Sequence, residues 1–316
     1  MGKNYTAELL TAAVPAELAG LRVDLALVKL FPQFSRNRLQ AWLKSGHVRI
    51  DGAPAERRAK TTGGETIELA PPPAADVALP PAQRMALEIL FEDRDLIVVN
   101  KPAGLTVHPG AGNPDRTLMN ALLAHDPGLR QVPRAGIVHR LDKDTSGLMV
   151  VAKNVTAQAQ LAAQLAARSV KRTYLALVHG APPAQGAIDA PIGRDTRART
   201  RMAVTARGKE ARTHFRVLER FAHVSNPAAL VECRLETGRT HQIRVHLQHL
   251  KHPVVGDPVY RRGRRAGNPG GLPFARQALH AAELELVHPR SGRTLRWSAP
   301  LPADMKKLLA NLRRGL

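Results

Sequence analysis

In 316 residues the chain carries 47 Lys and Arg against 26 Asp and Glu, a formal net charge of +21; such an excess repels itself in a compact state and is best understood as a field that attracts phosphates. No stretch approaches the roughly 18 consecutive apolar residues of a membrane span, and Met1-Gly2-Lys3-Asn4-Tyr5-Thr6 holds no apolar signal region, so a soluble, unexported protein is expected. Cys233 is the single cysteine, which excludes an intrachain disulfide and a cysteine-rich zinc site and fits a reducing cytoplasm.

With 44% hydrophobic residues the chain can bury a substantial core, and its length suits about two domains. Apolar spacing predicts a helix over Leu21 to Leu30, stopped at Pro32, and Ser35 is placed to cap a second over Arg36 to Ser45, ended by Gly46. That second helix offers Leu39, Trp42 and Leu43 for burial and Arg36, Arg38 and Lys44 for solvent or phosphate. Val48-Arg49-Ile50 alternates as a strand, Asp51-Gly52 signals a hairpin turn, and Thr66-Ile67-Glu68-Leu69 reads as another strand. The result is an αβ unit of about the smallest size that folds alone. From Ala70 to Pro81 the prolines forbid helix interiors and central strands, which predicts an extended, semi-stiff tether. The expected organisation is a first domain over residues 16–70, a Pro/Ala-rich linker over 71–86 and a second domain over 87–316.

Downstream, Leu96-Ile97-Val98-Val99, Leu148 to Ala152 and Leu175 to Val178 are short apolar runs, as expected of strands buried on both faces. Val231, Cys233 and Leu235 alternate with Glu232, Arg234 and Glu236, which predicts a half-exposed strand. Helices are expected at Thr156 to Ala167, Thr240 to Leu250 and from Ala303. The fold class is α+β, with a mixed, largely antiparallel sheet and flanking helices. The lack of regular strand–helix alternation, and of a Gly-rich loop after a strand, argues against a dinucleotide or P-loop fold.

His139-Arg140-Leu141-Asp142-Lys143-Asp144-Thr145-Ser146-Gly147-Leu148 packs a carboxylate, cations and hydroxyls into a loop feeding directly into a strand, a placement that fixes where its side chains point. A structural ion pair between Asp142 and an arginine is the alternative. Three further segments have the character of site loops: Asn100-Lys101-Pro102 to Gly110, Val170 to Val178 with Tyr174, and Thr237 to Leu247. In the last, Thr240 is placed to cap a helix with a buried stripe of Ile243, Leu247 and Leu250, leaving Arg244 on a different face. Tyr174 alone also suits a core position, and Arg239 and Arg244 suit a charged surface. A metal site at His139, His241, His246 and His249 is not expected: no His-Glu-x-x-His helix is present and basic neighbours repel a cation.

The first unit resembles the S4 RNA-binding domain over residues 16 to 70, through Ser35-Arg36-Asn37-Arg38-Leu39-Gln40, Lys44-Ser45-Gly46-His47-Val48 and Asp51-Gly52. Basic side chains on a short helix would there position an RNA backbone without reading sequence. The second unit resembles the RluA/RluD-type pseudouridine synthases over Leu87 to Pro300, through His139-Arg140-Leu141-Asp142 with Thr145-Ser146-Gly147, Lys171 to Val178, Gly238 to Arg244, Asn100-Lys101-Pro102 and Gly256-Asp257-Pro258-Val259-Tyr260. The resemblance implies modification of uridines in 23S ribosomal RNA, with Asp142 the catalytic acid, Tyr174 packed on the target base and Arg244 paired with Asp142.

Uridine-to-pseudouridine conversion breaks a C–N glycosidic bond, turns the uracil and joins its C5 to the same sugar carbon. It is redox-neutral and requires no cofactor or metal. It does require an ionised carboxylate, to attack covalently or to take a sugar proton, and a flat wall that keeps uracil from escaping. The target must also be flipped out of its stack. Arg140, whose planar guanidinium stacks well, is the candidate to fill the vacated place or clamp the neighbouring phosphate. Arg194, Arg197, Arg199, Arg201, Arg207, Lys209, Arg212 and the loop Arg261-Arg262-Gly263-Arg264-Arg265 are expected to meet phosphates. The expected partner is large-subunit ribosomal RNA or its precursor particle, met by a cytoplasmic monomer, with no DNA or membrane partner. A noncatalytic RNA-binding or ribosome-assembly factor is the alternative, and a metal-dependent nuclease, which wants several carboxylates at one site, a weaker one.

Overall fold

The computed structural model describes residues 9–71, 79–198, 201–222, 227–260 and 272–315, apart from 33, 35, 57 and 111. Ser35, Arg199, the loop 261–265 and most of the Pro-rich segment lie outside the described residues. The chain divides into two compact units, Met1–Leu79 and Pro80–Leu316.

The first unit contains β1 (Leu10–Ala13), α1 (Val23–Leu30), α2 (Arg36–Lys44), β2 (Val48–Ile50), β3 (Ala53–Pro54) and β4 (Thr66–Leu69). Its four strands pair antiparallel in the order β1-β4-β2-β3. β1 lies N-terminal to residue 16, where the sequence pattern begins, because only its pairing to β4 marks so short a strand. β2 and β3 meet across Asp51 and Gly52, both with positive φ (48° and 79°) as a type I′ hairpin requires. Leu27, Leu39, Leu43, Val48, Ile67 and Leu69 close the core between helices and sheet. Asp24 is buried beneath them, and its carboxylate accepts from Arg22 (3.0 and 3.2 Å) and Gln40 (2.9 Å), with Arg36 at 3.7 Å. Of the three basic residues read on α2, Arg36 therefore also serves an internal ion pair. Arg38 lies over the Trp42 ring at 4.9 Å, and Lys44 is exposed in the last turn.

The second unit runs β5 (Glu88–Glu92), β6 (Leu96–Lys101), α3 (Leu118–His125), β7 (Ser146–Ala152), α4 (Val155–Ala166), β8 (Lys171–His179), β9 (Gln185–Asp189), β10 (Ile192–Arg194), β11 (Met202–Val204), β12 (Arg212–Phe221), β13 (Ala228–Leu235), α5 (Gln242–His249), β14 (Leu279–Val287), β15 (Thr294–Ser298) and α6 (Ala303–Arg313). A nine-stranded sheet has the order β5-β6-β7-β14-β8-β13-β12-β9, with β15 on β14, and β10 and β11 form a separate ribbon. Every pairing in the large sheet is antiparallel except β7 with β14. The architecture is the mixed, largely antiparallel α+β sheet that the sequence indicates. α4 covers the sheet's centre, packing Leu161 into Leu96, Val98, Leu148, Val150 and Leu284.

β13 departs from the half-exposed pattern: Ala228 to Val231 are buried on both faces, and alternation begins only at Glu232, because the strand lies between β8 and β12. α3 was not evident in the sequence, although Thr117 and Asn120 cap it reciprocally. The chain just before β5 is fixed rather than free: the Asn120 side chain donates to the Pro81 carbonyl at 2.8 Å, and the Gln83 backbone donates to the Asn120 carbonyl at 3.0 Å. At the start of β7, Gly147 has φ +115°, and a Cβ there would stand 2.2 Å from the Ala281 carbonyl oxygen. No side chain fits where the loop before β7 joins the one parallel pair.

Candidate active site

β7, β8 and α5 bring their ends to a cleft of about 410 Å³ in the second unit, lined by Asp142, Tyr174, Arg140 and Arg244 among others. Asp142 is the single carboxylate residue among the cleft's lining residues, which include five arginines.

The loop that carries Asp142 is tied down by its backbone. Its turn closes with Thr145 N donating to the Asp142 carbonyl at 3.1 Å. The Lys143 carbonyl accepts from Gly104 N (3.0 Å) and from the buried Lys101 ammonium (2.9 Å), and the Asp144 carbonyl accepts from Arg276 (3.0 Å). Lys101 also donates to the carbonyls of Pro102 (2.8 Å) and Leu105 (2.9 Å). Burial pushes its pKa down to about 7 against the pull of Asp144 and Asp142. Three carbonyl acceptors nevertheless call for three N–H bonds, which only the ammonium has, so the protonated form is assigned. These ties place the carboxylate before any substrate arrives.

Asp142 is 18% exposed and accepts from Arg244 Nη1 at 2.9 Å. Arg244, 4% exposed, is in turn gripped by Asp257, whose two oxygens accept from Nε (2.7 Å) and Nη2 (2.9 Å). Asp257 also accepts from the backbone N–H groups of Val259 (2.8 Å) and Tyr260 (2.9 Å). Burial opposes the charge on Arg244, but hydrogen bonds and attraction from Asp257 and Asp142 outweigh it, so the guanidinium pKa is raised further. A cation held by both carboxylates can present one hydrogen bond to Asp142 in fixed geometry.

α5 reaches the site differently from the sequence expectation. It starts at Gln242, not after a Thr240 cap: His241 occupies the N-cap position in left-handed conformation (φ 57°) with no side-chain cap. The Gln242 side chain does the local work, its carbonyl accepting from Arg239 N (2.9 Å) and Thr237 Oγ1 (2.8 Å). The helix is buried from Gln242 to Leu247, so Arg244, off the stripe of Ile243 and Leu247, is buried as well, and Leu250 is only partly buried. The left-handed turn aims His241 back at the site. Its Nδ1 lies 2.9 Å from the Tyr260 hydroxyl, which accepts from Met202 N, and its Nε2 lies 3.8 Å from Asp142. With the Tyr260 hydrogen given to Nδ1, this network assigns the His241 proton to Nε2, facing Asp142. Burial lowers the His241 pKa, Asp142 opposes, and Arg244 adds to the lowering.

The opposite wall is β8. Tyr174, 6% exposed, sits in register with Cys233 and Ala281, and burial raises its phenol pKa. Two residues away on the same strand face is Arg172. Arg140 is exposed at the cleft, near Arg134 in a run of positive φ (Arg134 56°, Ala135 51°, Gly136 75°). Non-glycine residues in that region are uncommon, and here they turn the chain toward the cleft. His108, His241, Arg172, Tyr260 and Asp257 are the site groups that sequence reasoning did not assign. Each nevertheless stood in a segment that the sequence singled out: His108 in Asn100 to Gly110, Arg172 in Val170 to Val178, His241 in Thr237 to Leu247, and Asp257 and Tyr260 in Gly256 to Tyr260.

Among the described residues, Asp93, Asp95 and His288 are the one grouping with metal-ligand spacing. Their atoms are already engaged: Asp95 is held bidentately by Arg290 (2.6 and 2.9 Å), and Asp93 by His288 (2.8 Å). Of the expected phosphate contacts, Arg197, Arg207 and Lys209 are exposed, whereas Arg212 lies 3.5 Å from Asp189 and 3.9 Å from Glu236, and Arg201 packs over Tyr260 at 5.5 Å.

His139 gives a pH test. Its Nε2 accepts from Val150 N at 3.0 Å, and burial, then the Arg172 charge, pushes its pKa down to about 3. The folded state therefore keeps it neutral while the unfolded chain protonates it below about 6.5. This contribution is intact above pH 6.5 and is lost as pH falls toward 3, by about 1.4 kcal/mol per unit. Denaturant unfolding of wild type and His139→Gln across this window is expected to show a shallower acid loss in the variant; equal slopes contradict the assignment.

Residues 95–249 match the family model described as RNA pseudouridylate synthase. The chain is 52% identical over 329 residues to the ribosomal large subunit pseudouridine synthase D of Nitrosomonas europaea, covering 99% of this chain and 94% of the relative. It is likewise 52% identical to the enzyme of that name from Xanthomonas campestris pv. campestris, covering 96% and 92%. Among solved structures it resembles human RNA pseudouridylate synthase domain containing 1, with a TM-score of 0.54 and 30% identity over 74% of this chain and 97% of the other. With a tied-down carboxylate, a doubly held arginine and a buried tyrosine around one cleft, and with these relatives, the chain belongs to the RNA pseudouridine synthase family, in its RluA/RluD type.

Proposed function

We propose that the protein isomerises specific uridines of large-subunit (23S) ribosomal RNA to pseudouridine, with Asp142 acting on a nucleotide flipped into the cleft. The observation that carries this is the single carboxylate of Asp142, held at 2.9 Å by Arg244 across from buried Tyr174. In this reading Asp142 either attacks the sugar carbon or removes a sugar proton, and both roles use the same ionised group. Arg244 orients it, and Tyr174 supplies the flat wall on which the freed uracil turns. Arg140 fills the space the flipped base leaves or clamps the adjoining phosphate. The residues themselves supply each of these roles, so no cofactor or metal takes part.

The first unit, read as an S4-like RNA-binding domain over residues 16–70, supplies backbone contacts through Arg36, Arg38 and Lys44. Lys44→Ala is expected to reduce the slope of log affinity against log salt by about 0.7 to 0.9, one phosphate contact, with turnover at saturating RNA unchanged. Arg36→Ala also takes a partner from buried Asp24, so a loss of thermal stability accompanies its loss of affinity. A slope unmoved by Lys44→Ala contradicts the contact. The charge of +21 disfavours self-association, so the protein is read as a monomer with RNA as its polyanion, and the single cysteine, Cys233, fits a cytoplasmic setting.

The test is to incubate wild-type protein with a large-subunit ribosomal RNA transcript and map pseudouridine along it. Modification at a small set of uridines supports the reading and names the targets. Tight, salt-sensitive binding with no modification moves the protein to an RNA-binding assembly factor.

A further inference from the structure

The described residues include three buried arginines, Arg172, Arg244 and Arg276. Arg244 and Arg276 each hold a carboxylate with two nitrogens, on Asp257 and Asp304. Arg172 is the exception. It is 8% exposed, its Nε is buried without a hydrogen-bond partner, and the side chain lines the cleft. Gly238 makes room for it: a Cβ there would stand 2.8 Å from Nη1, so the guanidinium lies close against backbone. A buried charge without a counter-charge is costly to the fold. Such a group persists where a ligand completes it.

Uridine isomerisation in this cleft supplies that ligand, and the role of Arg172 rests on that functional reading. When the C1′–N1 bond breaks, its electron pair stays with the uracil, which becomes an anion with charge on N1 and its carbonyl oxygens. The ring then turns, C5 bonds to C1′, C5 loses its proton and N1 regains one. Both roles open to Asp142 generate the same anion. We infer that Arg172 is a further catalytic residue, donating to the carbonyl oxygens of the uracil as it detaches and stabilising the charge that develops there. A backbone phosphate is the competing occupant. Burial argues against it, since Arg134 and Arg140 are the exposed cleft arginines and Arg172 shares a strand face with Tyr174, the residue assigned to the base.

The test compares wild type, Arg172→Met and Arg172→Lys in single turnovers at saturating RNA, with uridine or 5-fluorouridine at the target. Loss of the starting nucleoside from digests reports C–N cleavage, and salt-dependent binding is measured alongside. Arg172→Met is expected to slow cleavage of uridine by about 10² to 10³, the usual effect of removing one preorganised donor to developing charge. RNA affinity should stay within a few-fold, and Arg172→Lys should recover part of the rate. Fluorine stabilises the uracil anion by itself, so the loss should shrink at least tenfold with 5-fluorouridine, a change that misfolding or misplacement would not give. Should Arg172→Met fail to fold by thermal melting, Arg172→Gln is read the same way. Undiminished cleavage, an equal loss on both nucleosides, or weaker binding with a lower salt slope at full rate overturns the inference. Failure of wild type to act on uridine overturns the functional reading instead.

Discussion

Asp142→Asn is expected to lower turnover by about four orders of magnitude or more, the scale seen when a nucleophile or the charge behind a general base is removed. RNA affinity should stay within a few-fold of wild type. The asparagine keeps the shape and a carbonyl oxygen within reach of Arg244 Nη1, which lies 2.9 Å from the native carboxylate. Arg244 itself stays held by Asp257. What disappears is the negative charge and the lone pair that attack or proton removal requires. The basic surface that attracts RNA does not depend on it. Single-turnover isomerisation and binding, measured on the same transcript, separate the two. A variant that keeps a tenth of the wild-type rate places the chemistry on another group.

The second large effect belongs to Asp257. Asp257→Ala is expected to cost about 3 to 5 kcal/mol of stability, the range for breaking a buried ion pair from one side. The side chain is fully buried, and its removal strands the Nε and Nη2 groups of Arg244 together with two backbone N–H groups. Of its two carboxylates Arg244 then keeps only Asp142, beside its stacking on the Tyr260 ring at 5.0 Å. Protein that remains folded should therefore also lose turnover, with pseudouridine formation falling more than RNA binding. Urea unfolding and single-turnover assays check both halves. Unchanged stability contradicts the network, and unchanged turnover in a destabilised protein shows that Arg244 needs no anchoring.

The candidate site was legible in the sequence where chemistry-bearing residues stand at strand ends. Asp142 precedes the apolar run of β7, Tyr174 lies within that of β8, and Arg244 follows a Thr-Gly-Arg-Thr turn. The anchoring was not legible. Asp257 meets Arg244 from a turn beyond α5, and no local pattern says which carboxylate a buried arginine will choose. The start of α5 was misplaced because Thr240 satisfies capping rules, whereas His241 takes a left-handed conformation that is uncommon outside glycine and that no local pattern signals here. The burial of Arg244 was not legible, because a hydrophobic stripe says nothing of what covers the other faces, and α5 is buried from Gln242 to Leu247. Arg172 lay in the Val170 to Val178 segment that the sequence marked, but with no role of its own. Its distinction is the lack of a partner, which only tertiary structure reveals.

If this cleft makes a C–C bond at uracil C5 without cutting the RNA, the hydrogen on C5 must leave while the chain stays whole. Tritium release from large-subunit ribosomal RNA transcribed with [5-³H]uridine, in the presence of a chelator, tests this most directly. Wild type is expected to release tritium to a plateau of one per modified uridine, with the RNA at full length throughout. Binding without tritium release, or release accompanied by shortened RNA, would contradict it.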